Sequence, residues 1–234
     1  MRKFLKMWIG LGLLPLCWSV SVATWQIALP LVGAASTNEI EPWALPIGFM
    51  VWIALFFFLP RPVRTYVLGH ELTHALSALM MGAKIGKIKV GKEGGHVEVS
   101  KTNFIITLAP YFFPFYTFLV IAFYYLAGIW FPVENYRLFW LGMIGFTWGF
   151  HLTFTLQMLT QRQPDIQEHG SIFSFVIIYL VNLLLIGSWV ATIGKPTFKT
   201  YAVLLKTNTQ STYMEVGQYA RSQFYKFSSS GEKE

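Results

Sequence analysis

The sequence predicts an all-α polytopic membrane protein of about six transmembrane helices, with a small β-hairpin after the third. Three observations predict it. The 234 residues are 54% hydrophobic and only 12% charged, against about 25% charged in a soluble domain. Apolar runs long enough to span a bilayer recur along the chain, separated by short polar stretches. One stretch, residues 83–100, departs from this and alternates apolar and polar around glycines, which is the period of a strand.

The elements follow in order. A basic start (Arg2, Lys3, Lys6) leads into the apolar residues 7–33, the first expected span. The basic start, the apolar run and Ser21-Val22-Ala23 also fit a signal peptide, but the run is long for one and favours a membrane anchor. Residues 36–41 read as a polar loop. Residues 43–60 form a second span that ends at Pro60-Arg61-Pro62, and residues 63–82 a third that Gly82 closes. Lys84 to Val90 alternates, Gly94-Gly95 turns the chain, and His96-Val97-Glu98-Val99 returns, as in a β-hairpin. Its free edge is suited to pair with an extended peptide, or its lysines rest on lipid headgroups. Residues 102–131 form a fourth span in which Pro110 and Pro114 remove backbone donors and predict a kink. Residues 137–160 and 171–193 complete the set, and the chain from Lys195 on reads as a basic, mobile or surface-lying tail.

The net charge of +7 gathers at the N-terminus, in residues 84–101 and in the tail. Anionic lipid accounts for it better than nucleic acid, for which the chain has no motif. Both ends and the hairpin are basic, so the charge rule leaves orientation open. The single cysteine, Cys17, excludes an internal disulfide framework and a cysteine metal site.

The chemistry concentrates in Gly69-His70-Glu71-Leu72-Thr73-His74, inside the third helix. Residues four apart share one helical face, so His70 and His74 can turn both imidazoles to one metal ion. Glu71 lies about 100° around the helix from His70, beside the pair and free to take a proton from a water on the metal. Two histidines, a third protein ligand, an open position and a carboxylate base are the layout of a zinc hydrolase. Ionisable groups between Leu55–Leu59 and Ala75–Met81 are costly at membrane depth, which makes the cluster functional by default.

Zinc needs a third donor. The single aspartate, Asp165, lies between the fifth and sixth spans, stiffened by Pro164. Counting one crossing each for the fourth and fifth helices brings it to the same side of the membrane as His74. His169, Glu168 and His151 are the other candidates. His151, inside the fifth span, reads either as a buried histidine bonded to Thr153 or Thr155 or as a partner of the zinc site. His96 reads as a turn histidine before a ligand, and Asn182 as a bridge between helices.

With these residues the sequence resembles the site-2 protease family of intramembrane zinc metalloproteases: His70-Glu71-Leu72-Thr73-His74 in a membrane helix, a glycine-containing hairpin after it, and an aspartate two spans later. Where that family carries Asn-x-x-Pro and a later Asp-Gly, here Pro164 directly precedes Asp165 and the glycine comes at Gly170. The resemblance implies zinc held by His70, His74 and Asp165, with Glu71 as the catalytic base acting on zinc-bound water. It implies a membrane-spanning protein as substrate, cut within or near the bilayer. The chain then divides into two N-terminal spans (1–61), a zinc metalloprotease core (62–170), a sixth span (171–194) and the tail (195–234). The competing reading is a non-catalytic membrane protein that binds or transports a metal ion. It needs further polar side chains across the bilayer, and spans four to six offer little beyond His151 and Asn182.

Overall fold

The computed structural model describes residues 2–34, 40–91, 94–193 and 197–231. Most of the expected 36–41 loop and the last three residues lie outside the described residues. The chain is mostly helical, with α1 Arg2–Gly12, α2 Leu14–Ala34, α3 Glu41–Phe58, α4 Val63–Met80, β1 Ile85–Val90, β2 Gly95–Val99, α5 Phe104–Leu108, α6 Phe115–Ala127, α7 Arg137–Leu159, α8 Pro164–His169, α9 Ser171–Ile193 and α10 Phe198–Gly231. It divides into two compact units, residues 1–36 with 170–234, and residues 37–169.

In the first unit the expected single span 7–33 is two helices. Lys3–Gly12 and Leu14–Pro30 meet at a bend of 42°. Pro15 has no N–H to give to Leu11, so the hydrogen-bond ladder lapses where the bend falls. Val20 packs on Val176 and Leu180 of α9, and Ala23 and Ile27 pack on Ala191 and Tyr201. Hydroxyls cross between helices: Ser21 meets Tyr179 at 2.8 Å and Thr24 meets Tyr201 at 3.1 Å. Asn182 donates to the Ile178 carbonyl of its own helix at 2.8 Å.

The C-terminal segment differs from the expected tail. It is a helix of 34 residues. Tyr201, Leu204 and Leu205 line one face, four residues on Asn208 donates to Gln26, and Tyr213 donates to the Gly12 carbonyl. That stripe buries apolar surface at helical spacing, which outweighs the polar composition of the rest.

In the second unit α3 and α7 run parallel. Glu41 at the start of one pairs with Arg137 at the start of the other, and Phe56 near the end of one packs on Phe154 near the end of the other. Small residues allow the approach: a Cβ on Gly48 would run into the backbone of Gly142, and one on Gly145 into the backbone of Leu45. An aromatic core of Trp52, Phe56, Tyr66, Phe150 and Phe154 joins α3, α4 and α7. The hairpin is antiparallel, pairing Ile88 with Val97, Lys89 with His96 and Val90 with Gly95, with an irregularity between Ile85 and Ile88.

The fourth expected span is not one straight helix. Phe104–Tyr111 and Phe115–Ala127 meet at 80°, far sharper than a proline kink alone. Pro110 and Pro114 both withhold N–H groups, and the helix breaks between them. Asp165 follows α7 on the short helix α8.

Among the described residues Ser171–Thr192 is the one helix that by itself is long and apolar enough to cross a membrane. There are up to three such spans if each bent pair counts as one, and Trp43–Phe58 is apolar but shorter. α4, with Arg64, His70, Glu71 and His74 in its sequence, is not among them.

Candidate metal centre

α4 presents the two histidines one turn apart. Thr73, itself buried, closes its hydroxyl on the Gly69 carbonyl at 2.7 Å, which satisfies its polar atom inside the helix. The Nε2 atoms of His70 and His74 lie 3.2 Å apart. Asp165, in the first turn of α8, places Oδ2 3.5 Å from each of them. His70, His74 and Asp165 form a group able to hold a metal ion.

The dimensions test the fit. Three donors at 2.0–2.1 Å from one tetrahedral zinc ion must stand about 3.3 Å apart. The observed edges of 3.2, 3.5 and 3.5 Å match that spacing.

The outer contacts orient the ligands. Nδ1 of His74 faces the Ile106 carbonyl at 2.9 Å. A carbonyl only accepts, so the partner assigns the proton to Nδ1 and leaves the lone pair on Nε2, toward the group. That carbonyl is free for a local reason. Its helical partner would be the N–H of residue 110, which is Pro110. Nδ1 of His70 meets the Tyr66 hydroxyl at 3.3 Å, and the Tyr66 ring stacks on Phe154 at 4.8 Å. Tyr111 donates to Asp165 Oδ2 at 3.0 Å.

Two imidazole lone pairs and a carboxylate oxygen this close repel one another unless a cation lies among them. A proton or a metal ion meets that need. Burial alone would raise the Asp165 carboxyl, but the neighbouring His70 and His74 rings outweigh it and hold the group well below the usual carboxylate range.

Glu71 is buried, 5% exposed, and stands against the hairpin. A Cβ on Gly95 would come under 3.0 Å from its side chain. Gly95 is thus more than a turn residue: its missing side chain lets β2 close on the carboxylate. A cavity of about 650 Å³ opens beside the group, lined by His70, Glu71, His74, Gly95, His96 and Asp165 among others.

The remaining candidates stand elsewhere. His169 is buried, with Nε2 3.9 Å from Glu168, and belongs to no metal-binding group among the described residues. His151 is also buried outside the group and lines a small separate chamber with His70, Gly69, Thr73 and Tyr116. Its Nε2 has no hydrogen-bond partner, and Thr153 instead accepts from Trp52 at 2.9 Å. His96 lies on β2 opposite Lys89, at the cavity wall. Asp165 faces the histidines and Tyr111, not Arg162. Tyr66, Tyr111 and the Ile106 carbonyl are new to the site. In the sequence Tyr66 was signalled by its place four residues before His70 on the same helix, and the Ile106 carbonyl by Pro110 four residues after it.

Comparison of the chain with protein-family models, with curated proteins and with solved structures finds no match.

Proposed function

We propose that this chain is a multi-pass intramembrane zinc metalloprotease of site-2 protease type. The observation that carries the reading is the near-equilateral triangle of His70 Nε2, His74 Nε2 and Asp165 Oδ2, with Glu71 buried beside it on the same helix. His70, His74 and Asp165 would hold the ion. When bound, zinc supplies Lewis-acid polarisation of a carbonyl and makes water more acidic near neutral pH.

The other steps belong to the chain's own residues. Glu71, next to the pair and at the wall of the larger cavity, takes a proton from the attacking water and hands it to the departing amine. β2, whose residues Gly95, His96 and Val97 line that cavity, offers its unpaired edge to an extended stretch of substrate. A membrane-spanning substrate must unwind locally to expose its scissile bond, and pairing with β2 compensates the backbone hydrogen bonds it gives up. The aromatic core of α3, α4 and α7 includes Tyr66, one turn before His70, and shields that end of the histidine pair from water.

His70, Glu71, His74 and Asp165 gather at the wall of one cavity, the arrangement hydrolysis needs, whereas transport calls for polar groups in sequence across the bilayer. The test is cleavage of a single-pass reporter by the purified protein in liposomes. Wild type with zinc should cut it. Glu71→Gln should bind zinc and leave the reporter intact. Equal cutting by both would remove Glu71 from the chemistry.

A further inference from the structure

Residues 103–111 touch all three members of the metal group although they supply none of them. Asn103 caps α5 by accepting from the backbone N–H of Ile105 and Ile106 at 2.9 and 3.0 Å. That sets the start of the helix, and Pro110 sets its end by leaving the Ile106 carbonyl without a helical donor. His74 takes that carbonyl. The chain then turns through Ala109–Tyr111 and delivers Tyr111, which is 0% exposed. Its ring stands edge-on to His70, 5.4 Å between centroids at 89°. Its hydroxyl reaches the oxygen of Asp165 that faces both histidines.

We propose that Tyr111 is a positioning residue for the metal centre: buried in the break between α5 and α6, it locks Asp165 of α8 against the histidine pair of α4. This rests on the reading that the three residues bind zinc. Asp165 comes from a short helix of six residues, and such an element has little stiffness of its own. A carboxylate on it can rotate about two side-chain bonds. One hydrogen bond from a fully buried hydroxyl removes that freedom and leaves Oδ2 a second lone pair for the ion. Tyr111 has no exposed surface through which to touch substrate, so its effect passes through Asp165.

The experiment is a zinc titration of the full-length protein in detergent, in competition with a chromophoric chelator. Four proteins are compared: wild type, Tyr111→Phe, Asp165→Asn and the double variant. Phenylalanine keeps the ring that packs on His70 and removes only the hydroxyl. Tyr111→Phe should weaken zinc by about 10- to 100-fold, the range for loss of an outer hydrogen bond. In the Asp165→Asn background the same substitution should change affinity by less than about twofold, because the partner it acts through is already altered. Wild-type affinity in Tyr111→Phe would overturn the inference. So would an equal loss in both backgrounds, the result expected if the hydroxyl merely holds the fold. Absence of zinc binding by the wild type would instead remove the metal reading on which the inference stands.

Discussion

The two compact units bury polar atoms in different ways. In the unit of residues 1–36 and 170–234, the described buried polar side chains are hydroxyls: Ser19, Thr24 and Ser174. Ser19 closes on the Pro15 carbonyl of its own helix, and Thr24 meets the Tyr201 hydroxyl. In the unit of residues 37–169 they include Glu71, His151 and His169, beside the half-buried triad. A hydroxyl in an apolar setting is satisfied by one neighbour and costs little. A carboxylate or imidazole there costs far more unless it finds a partner of matched charge or a metal. On the proposed function, the first unit serves as scaffold and the second carries the site.

Substitutions sharpen that contrast. The largest effect should come from Glu71→Gln, which leaves the metal group intact and removes the proposed base. Cleavage should fall by about 100- to 10,000-fold, while zinc content by elemental analysis stays at the wild-type value. Asp165→Asn should weaken zinc by more than the roughly 10- to 100-fold typical of an outer-shell loss. Dialysis against a chelator, followed by metal analysis, reads this directly. Unchanged retention would transfer the third position to another donor. Gly95→Ala should come next. The added methyl pushes β2 away from Glu71, and a shift of about 1 Å costs up to about 100-fold in rate. Reporter cleavage should drop with zinc affinity unaltered. The smallest effect belongs to the other unit. Thr24→Val removes one buried hydrogen bond and should cost about 1 kcal/mol of stability, seen as a lower melting temperature, with zinc affinity unaltered. A change in zinc affinity there would break the division between scaffold and site.

What could be read from the sequence was local. His70 and His74 are four residues apart on one helix, so their meeting followed from helical period alone. The hairpin announced itself by alternation across Lys84–Val90 and His96–Val99. Asp165 was favoured as the single aspartate, and the structure does place it beside the histidines. Contacts far apart in the chain stayed hidden. The bonds from Tyr111 to Asp165 and from His74 to Ile106 join residues 54 and 32 apart, and no spacing encodes them. Pro110 carried half of that message. It was read as a kink, yet its missing N–H also frees the Ile106 carbonyl. The helix α10 was missed because its overall polarity masked a short stripe of Tyr201, Leu204 and Leu205 at i, i+3 and i+4.

X-ray absorption at the zinc edge, on the purified full-length protein loaded with one equivalent of zinc, tests the central claim most directly. The account predicts a four-coordinate ion with two imidazole nitrogens and a carboxylate oxygen at 2.0–2.2 Å, and loss of one imidazole shell in His74→Ala. A spectrum of oxygen ligands alone, or one that His74→Ala leaves unaltered, would contradict it.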